Sequence, residues 1–148
     1  MAKNAPPSKQ EIAFIESIDA CFPFRDETAA RSSIRDGAQI SDNAALMIAC
    51  ELVAAQRVDR RGVIHPSVPK RLRLKYLKLL AEERPTPLVM AAVPVAEALI
   101  AATSPSAATA NALLAACRVG PPCFNALNLL AQCSPELASE AERIRSQA

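Results

Sequence analysis

Residues 86–135 have the sequence TPLVMAAVPVAEALIAATSPSAATANALLAACRVGPPCFNALNLLAQCSP. Three pairs of a hydroxyl residue and a proline divide this stretch. The pairs are Thr86-Pro87, Ser104-Pro105 and Ser134-Pro135. A Ser or Thr side chain accepts a hydrogen bond from the free N–H groups at a helix start, and proline suits the first helical position because its missing N–H would have no partner there. Each pair therefore predicts the start of a helix.

Alanine is the commonest residue between these pairs, and it has the highest intrinsic helix propensity. No part of the chain shows sustained strand alternation, and the one short exception is Gly62 to Ile64. Aromatic residues make up only 3% of the chain and Trp is absent, so the core must be aliphatic. We therefore predict an all-α protein, a compact irregular bundle of about seven or eight short helices with almost no sheet.

Signals for helix starts and ends place these helices along the chain. Gly37, Gly62 and Gly120 each follow a helical pattern, and a glycine in the left-handed conformation commonly ends a helix. The predicted helices cover residues 8–20, 26–36, 42–58, 67–84, 87–103, 105–119, 122–133 and 135–146. The last four follow one another closely, which also suits stacked antiparallel helix pairs in the C-terminal half.

The length of 148 residues is typical of one domain, so we predict a single helical domain over residues 1–148, with 1–7 as a disordered tail. Five cysteines without a Cys-x-x-Cys pair favour free thiols in a reducing cytosol. The N-terminus lacks the apolar core of a signal peptide, and the longest weakly charged run, 88–102, is shorter than the roughly 20 residues that span a bilayer. We predict a cytoplasmic protein without a membrane partner.

The sequence offers little catalytic or metal-binding chemistry. His65 is the only histidine, and the spacing of Cys117, Cys123 and Cys133 matches no zinc-ligand pattern. Phosphate-binding loops, nucleophile elbows and metalloprotease motifs are absent from the sequence. We therefore predict no catalytic residues, no metal and no cofactor, and we expect His65 to cap the helix that follows it or to have no role. An enzyme whose site no motif reveals is the third functional hypothesis.

Positive charge is concentrated in residues 57–78, which carry eight Lys or Arg against one acid, Asp59. Such a tract can neutralise phosphates, and binding of that kind weakens steeply with salt. Its exposed stripe lacks aromatic and amide side chains for contacts with bases, and the connector 59–66 is longer than that of a helix-turn-helix. A solvated face is the alternative. The predicted residues for binding phosphate or an acidic partner are Arg57, Arg60, Arg61, Arg71, Lys75 and Lys78.

Two charged residues fall within faces that we predict to be buried. Glu51 lies on a helix with apolar residues on every side, and Arg73 lies among Tyr76, Leu77 and Leu80 on the next helix. A buried charge needs a partner because desolvation is otherwise too unfavourable. We therefore predict an ion pair of Arg73 with Glu51 or with another acid across the helix interface.

Between Thr86 and Cys133 only Glu97 and Arg118 are charged. Short helices do not easily hide that much apolar surface, and an exposed apolar patch marks an interaction site. The alternative is that sandwiched helices bury all of it. We predict a non-enzymatic interaction module, adaptor or regulatory in type, that binds another protein or a second copy of itself through the surface of residues 86–133. The alternative function is nucleic-acid binding through the basic tract 57–78.

Overall fold

The computed structural model describes residues 8–21, 26–54, 57–59, 61–65, 68–120 and 122–147. They form eight α-helices, which make up 75% of the structure, and one short antiparallel hairpin, so the predicted all-α fold is confirmed. The predicted tail, 1–7, lies outside the described residues. The elements are α1 (Lys9–Cys21), α2 (Glu27–Ala38), α3 (Asp42–Ala54), β1 (Arg57–Val58), β2 (Ile64–His65), α4 (Lys70–Glu83), α5 (Pro87–Ile100), α6 (Ala107–Cys117), α7 (Phe124–Ala131) and α8 (Pro135–Gln147).

Two of the three hydroxyl–proline pairs begin helices as predicted. Thr86 accepts a hydrogen bond from the N–H of Val89 at 3.4 Å, and Ser134 accepts one from the N–H of Leu137 at 3.2 Å. The prediction for Ser104-Pro105 is wrong by two residues. The cap of α6 is Ser106, which accepts from Thr109 N at 3.1 Å.

The core is built around α3 and α5, each of which packs against four other helices. Ala44, Ala45 and Ala49 are buried on α3, and these small side chains let the neighbouring helices approach closely. Leu46, Ile48 and Leu52 fill the remaining space. Burying an aliphatic side chain of this size contributes roughly 1.5–3 kcal/mol.

Sandwiched helices also hide most of the apolar residues between Thr86 and Cys133. Met90 and Val119 are the large hydrophobic side chains that the described residues of this stretch leave exposed. The buried ones are Val89, Val93, Val95, Ile100, Leu113, Leu127, Leu129 and Leu130. The low charge of this stretch therefore reflects its burial in the core more than an exposed apolar surface.

Helix α3 ends at Ala54 rather than near residue 58 as predicted, because the chain turns into the hairpin β1–β2. Gly37 was predicted to follow a helix, but it lies inside α2. A Cβ at Gly37 would lie 2.3 Å from the ring atoms Cε1 and Cζ of Phe14 on α1. Gly37 therefore allows close packing of α1 on α2, whereas Gly62 and Gly120 do adopt positive φ.

We expect Gly37→Ala to lower the free energy of unfolding by about 1–3 kcal/mol because the added methyl group collides with the buried Phe14 ring. Helix propensity alone predicts the opposite sign, a gain of about 1 kcal/mol. Urea unfolding of Gly37→Ala, Phe14→Leu and the double variant tests this, with Ser32→Ala, exposed on the same helix, as control. The double variant should lose less than the sum of the single losses. A stabilised Gly37→Ala variant would contradict the packing role.

Candidate functional site

The hairpin of residues 57–65 is organised by the carboxylate of Asp59, whose side chain is only 1% exposed. Asp59 Oδ1 accepts from the backbone N–H groups of Arg61 at 2.9 Å and Val63 at 3.0 Å. The other oxygen, Oδ2, accepts from His65 Nε2 at 2.9 Å. The hydrogen bond from His65 holds the pKa of Asp59 well below its usual range, helped by the two backbone donors, although burial acts in the opposite direction.

His65 therefore closes the hairpin rather than capping a helix. It lies in β2, and α4 begins later, at Lys70, with Pro69 at the cap position and without a side-chain cap. Asp59, the sole acid of the basic tract, is turned inward because its carboxylate accepts the hydrogen bonds of the turn. A carboxylate with two backbone donors makes a turn of this size specific and rigid.

The outer surface of the hairpin combines apolar and cationic side chains. Val58, Val63 and Ile64 are 62%, 48% and 62% exposed, and they are three of the six large hydrophobic residues that the described part of the chain exposes. The Arg61 side chain is 80% exposed, with Nη2 3.5 Å from Asp59 Oδ2. Arg57 contributes its backbone to β1, and Arg60 lies outside the described residues.

Helix α4 carries the rest of the predicted basic tract on one face. Arg71 and Lys78 are exposed, and neither belongs to an ion pair formed among the described residues. Lys75, between them, pairs with Glu27 of α2, and this hydrogen bond lowers the pKa of Glu27. Arg71, Lys75 and Lys78 therefore share a face, but the charge of Lys75 is compensated.

Arg73 contacts the C-terminal end of α3. Its Nη1 donates to the carbonyl of Leu52 at 3.4 Å, and its Nε is buried without a hydrogen-bond partner among the described atoms. The predicted pair with Glu51 is not among the ion pairs that the described residues form; Glu51 is half-buried and adjoins the carbonyl that Arg73 binds. The last carbonyls of a helix lack intrahelical partners and carry negative partial charge, so they suit a guanidinium.

A groove of about 400 Å³ lies where the end of α6 and the loop after it meet α8. Its lining residues are Cys117, Arg118, Gly120, Pro122, Glu140, Arg143, Ile144 and Gln147. The carboxylate of Glu140 bridges two guanidinium groups: Oε2 lies 3.1 Å from Arg118 Nη2, and Oε1 lies 2.9 Å from Arg143 Nη1. Val119, next to the groove in sequence, is 77% exposed.

The groove offers positive charge beside apolar surface. Two guanidinium groups share one carboxylate, and both are more than half exposed, so each keeps donors for a ligand. Burial raises the pKa of the Cys117 thiol to about 11, so this thiol is neutral and a poor nucleophile near pH 7. The arrangement suits binding of an anion rather than covalent chemistry.

Two further thiols, Cys50 and Cys123, lie in a part-buried polar cluster where α3 packs against the start of α7. Asn43 Oδ1 accepts from the backbone N–H of Asn125 at 3.0 Å, and Cys50 Sγ donates to Asn125 O at 3.4 Å. Burial raises the pKa of Cys50 to about 12 and that of Cys123 to about 11. Within the described part of the chain, no group of three or more His, Cys, Asp or Glu residues is placed to hold a metal ion.

Comparisons with known proteins give no relative: no family model, no curated protein and no solved structure matches the chain. In the described ranges, no helix is both long and apolar enough to cross a bilayer. A function therefore has to be argued from the geometry of these surfaces.

We expect Asp59→Asn to loosen the hairpin, because the amide keeps one acceptor oxygen but loses the charge that binds the backbone donors and His65. The amides of Arg61 and Val63 should exchange with solvent at least tenfold faster, measured by NMR and corrected for intrinsic rates. Asp26→Asn, at the cap of α2, is the matched control.

The pH dependence follows from the lowered pKa of Asp59. Its stabilisation should be complete well above the unfolded pKa of about 3.9, should decline as pH falls below that value, and should be lost once pH has fallen through the lower folded pKa. Equal exchange rates in wild type and Asp59→Asn at neutral pH would show that strand pairing alone holds the turn.

Proposed function

We propose that this protein is a non-enzymatic helical interaction module, adaptor or regulatory in type, that binds a segment of a partner protein at the surface of residues 86–133. The observation that carries the proposal is the groove between α6 and α8, where two arginines share the carboxylate of Glu140. The groove lies at the edge of this surface, where the end of α6 and the loop after it meet α8, and it combines a concave shape with available hydrogen-bond donors and an exposed valine, Val119, next to it in sequence.

The lining determines the chemistry of the partner segment. Arg118 and Arg143 outweigh the single carboxylate of Glu140, so the groove favours an anionic ligand. Ile144 in the lining and exposed Val119 provide contacts for an aliphatic side chain. A short peptide with an acidic residue next to an aliphatic one fits both features. Self-association is the variant in which a second copy supplies this segment.

A peptide selection tests the groove directly. A random peptide library displayed on phage is selected on the wild-type protein, and the enriched peptides are synthesised and titrated by fluorescence polarisation. We expect a consensus with an acidic and an aliphatic residue. Arg118→Glu should weaken its binding about tenfold or more, because the variant reverses a charge that the ligand contacts.

Arg35→Glu is the matched control, since Arg35 is similarly exposed and also pairs with a glutamate of another helix, Glu83, at 3.4 Å. Both substitutions break one ion pair, so a loss confined to Arg118→Glu is specific to the groove. Peptides that bind both variants equally, or a selection without an acidic consensus, would refute the proposal. Light scattering of the free protein identifies the self-association variant.

Nucleic-acid binding through the basic tract is the second candidate. It is supported by exposed Arg61, Arg71 and Lys78, whose charges face solvent. The pairing of Lys75 with Glu27 reduces the charge of the tract and makes this candidate the weaker one.

This candidate predicts a salt-dependent affinity for DNA. We expect a fluorescein-labelled duplex to bind at about 50 mM salt and to lose most of its affinity at about 200 mM. Arg71→Glu and Lys78→Glu should each weaken binding more than Lys75→Glu, because Lys75 is already engaged by Glu27. Equal effects of the three variants, or binding that ignores salt, would contradict it.

A further inference from the structure

The hairpin displays an aliphatic pair that has no counterpart elsewhere on the described surface. Val58 and Ile64 are directly opposite each other in the β1–β2 register, so both side chains lie on one face of the hairpin. Each is 62% exposed, and Val63 next to them is also exposed. Within the described residues the main contact of each strand is the other strand, so this face is not packed on the helices.

The hairpin presents this face in a fixed shape. Asp59 N donates to Val63 O at 3.0 Å, the Asp59 carboxylate binds two further backbone donors, and Gly62 takes the turn with a φ of 83°. Binding through a rigid loop requires little further ordering of the chain. The only acid of the tract is buried in this turn, so its carboxylate is not presented to a ligand, although it lies 3.5 Å from the exposed guanidinium of Arg61.

Exposed cations lie close to the aliphatic pair in the chain. The Arg61 side chain, in the turn, is 80% exposed, and Lys70 and Arg71 are exposed at the start of α4. Lys70 follows His65 by five residues, so the chain keeps it within about 18 Å of the hairpin. Aliphatic side chains next to Lys and Arg are the combination that binds the interface of an anionic bilayer.

We propose that the hairpin of residues 57–65 attaches the protein to the surface of an anionic phospholipid membrane. Val58 and Ile64 enter the interfacial layer together, and Arg61, Lys70 and Arg71 contact lipid phosphates. The sequence excluded a membrane partner because no segment is long enough to span a bilayer, and surface attachment does not need such a segment. This site is separate from the groove between α6 and α8.

Charge and shape favour a membrane over other occupants of this surface. A second copy would bring like-charged hairpins together, which is repulsive. A protein partner would need a matching acidic cavity for an exposed aliphatic turn, whereas a fluid bilayer adapts to it. Protein interfaces also concentrate aromatic anchors, and the described hairpin residues include none.

Vesicle co-sedimentation of the full chain tests the proposal. We expect binding to vesicles of phosphatidylcholine with about 30% phosphatidylglycerol and little binding to phosphatidylcholine alone. Ile64→Asp should weaken binding at least tenfold, and Arg61→Glu at least fivefold, since one basic residue contributes about fivefold. Met90→Asp introduces the same charge at another exposed apolar position, and Arg118→Glu alters the groove; both should bind as wild type does.

Two sedimentation results would overturn the proposal. One is no binding of the wild type to anionic vesicles at low salt. The other is binding that Arg61→Glu abolishes and Ile64→Asp leaves unchanged, which would indicate a purely electrostatic surface for nucleic acid or an acidic protein. An Ile64→Trp variant provides an independent measurement: its fluorescence should shift to shorter wavelength with anionic vesicles, and an unshifted spectrum contradicts insertion.

Discussion

The ion pair between Asp42 and Arg84 connects the ends of four helices. The Asp42 carboxylate lies in the first turn of α3 and accepts hydrogen bonds from the Arg84 guanidinium, at the end of α4, and from Thr86 Oγ1, the cap of α5, at 2.9 Å. Arg84 also donates to the carbonyl of Ala38, the last residue of α2, at 2.6 Å. A carboxylate is stabilised at helix N-termini and a guanidinium at C-termini, so one ion pair satisfies the ends of α2, α3, α4 and α5 together.

The surfaces of the protein depend on this arrangement because they extend from the helices that it fixes. Asn43, the next residue, holds the start of α7 through Asn125, and α7 in turn packs against both α6 and α8, which form the groove. The opposite end of α3 leads into the hairpin, and its last carbonyls are covered by Arg73. Helix α3, whose alanines are buried in the core, is thus connected to both candidate binding surfaces: directly to the hairpin, and through α7 to the groove.

Local signals predicted the helices well, since caps and prolines act within one turn of the chain. These local signals failed where contacts with residues distant in sequence determine the structure. In the sequence, Gly37 predicts a helix end, but in the structure it lies inside α2, where it leaves room for the Phe14 ring. The helical pattern of α3 continues to residue 58, but the strand pair β1–β2 already begins at Arg57. The groove combines Arg118 with Glu140 and Arg143, which lie on different helices, so no motif could reveal it. The hairpin did have a signal, because Gly62 to Ile64 is the one short stretch with strand character, but a segment of this length is too short to predict a strand pair.

The basic tract shows why a count of charges does not define a charged surface. Of its members, Lys75 is compensated by Glu27 and Arg73 covers the end of α3, so both act in holding helices together. The one acid of the tract, Asp59, is also used internally, because its carboxylate is buried in the turn. Removing those three from the surface leaves Arg61, Lys70, Arg71 and Lys78 exposed, and Arg61 lies in the hairpin that also exposes Val58 and Ile64. The chain thus uses two of the eight cations and the one acid internally, so the exposed cationic set is smaller than the charge count indicates, and the hairpin exposes aliphatic side chains that a charge count does not show.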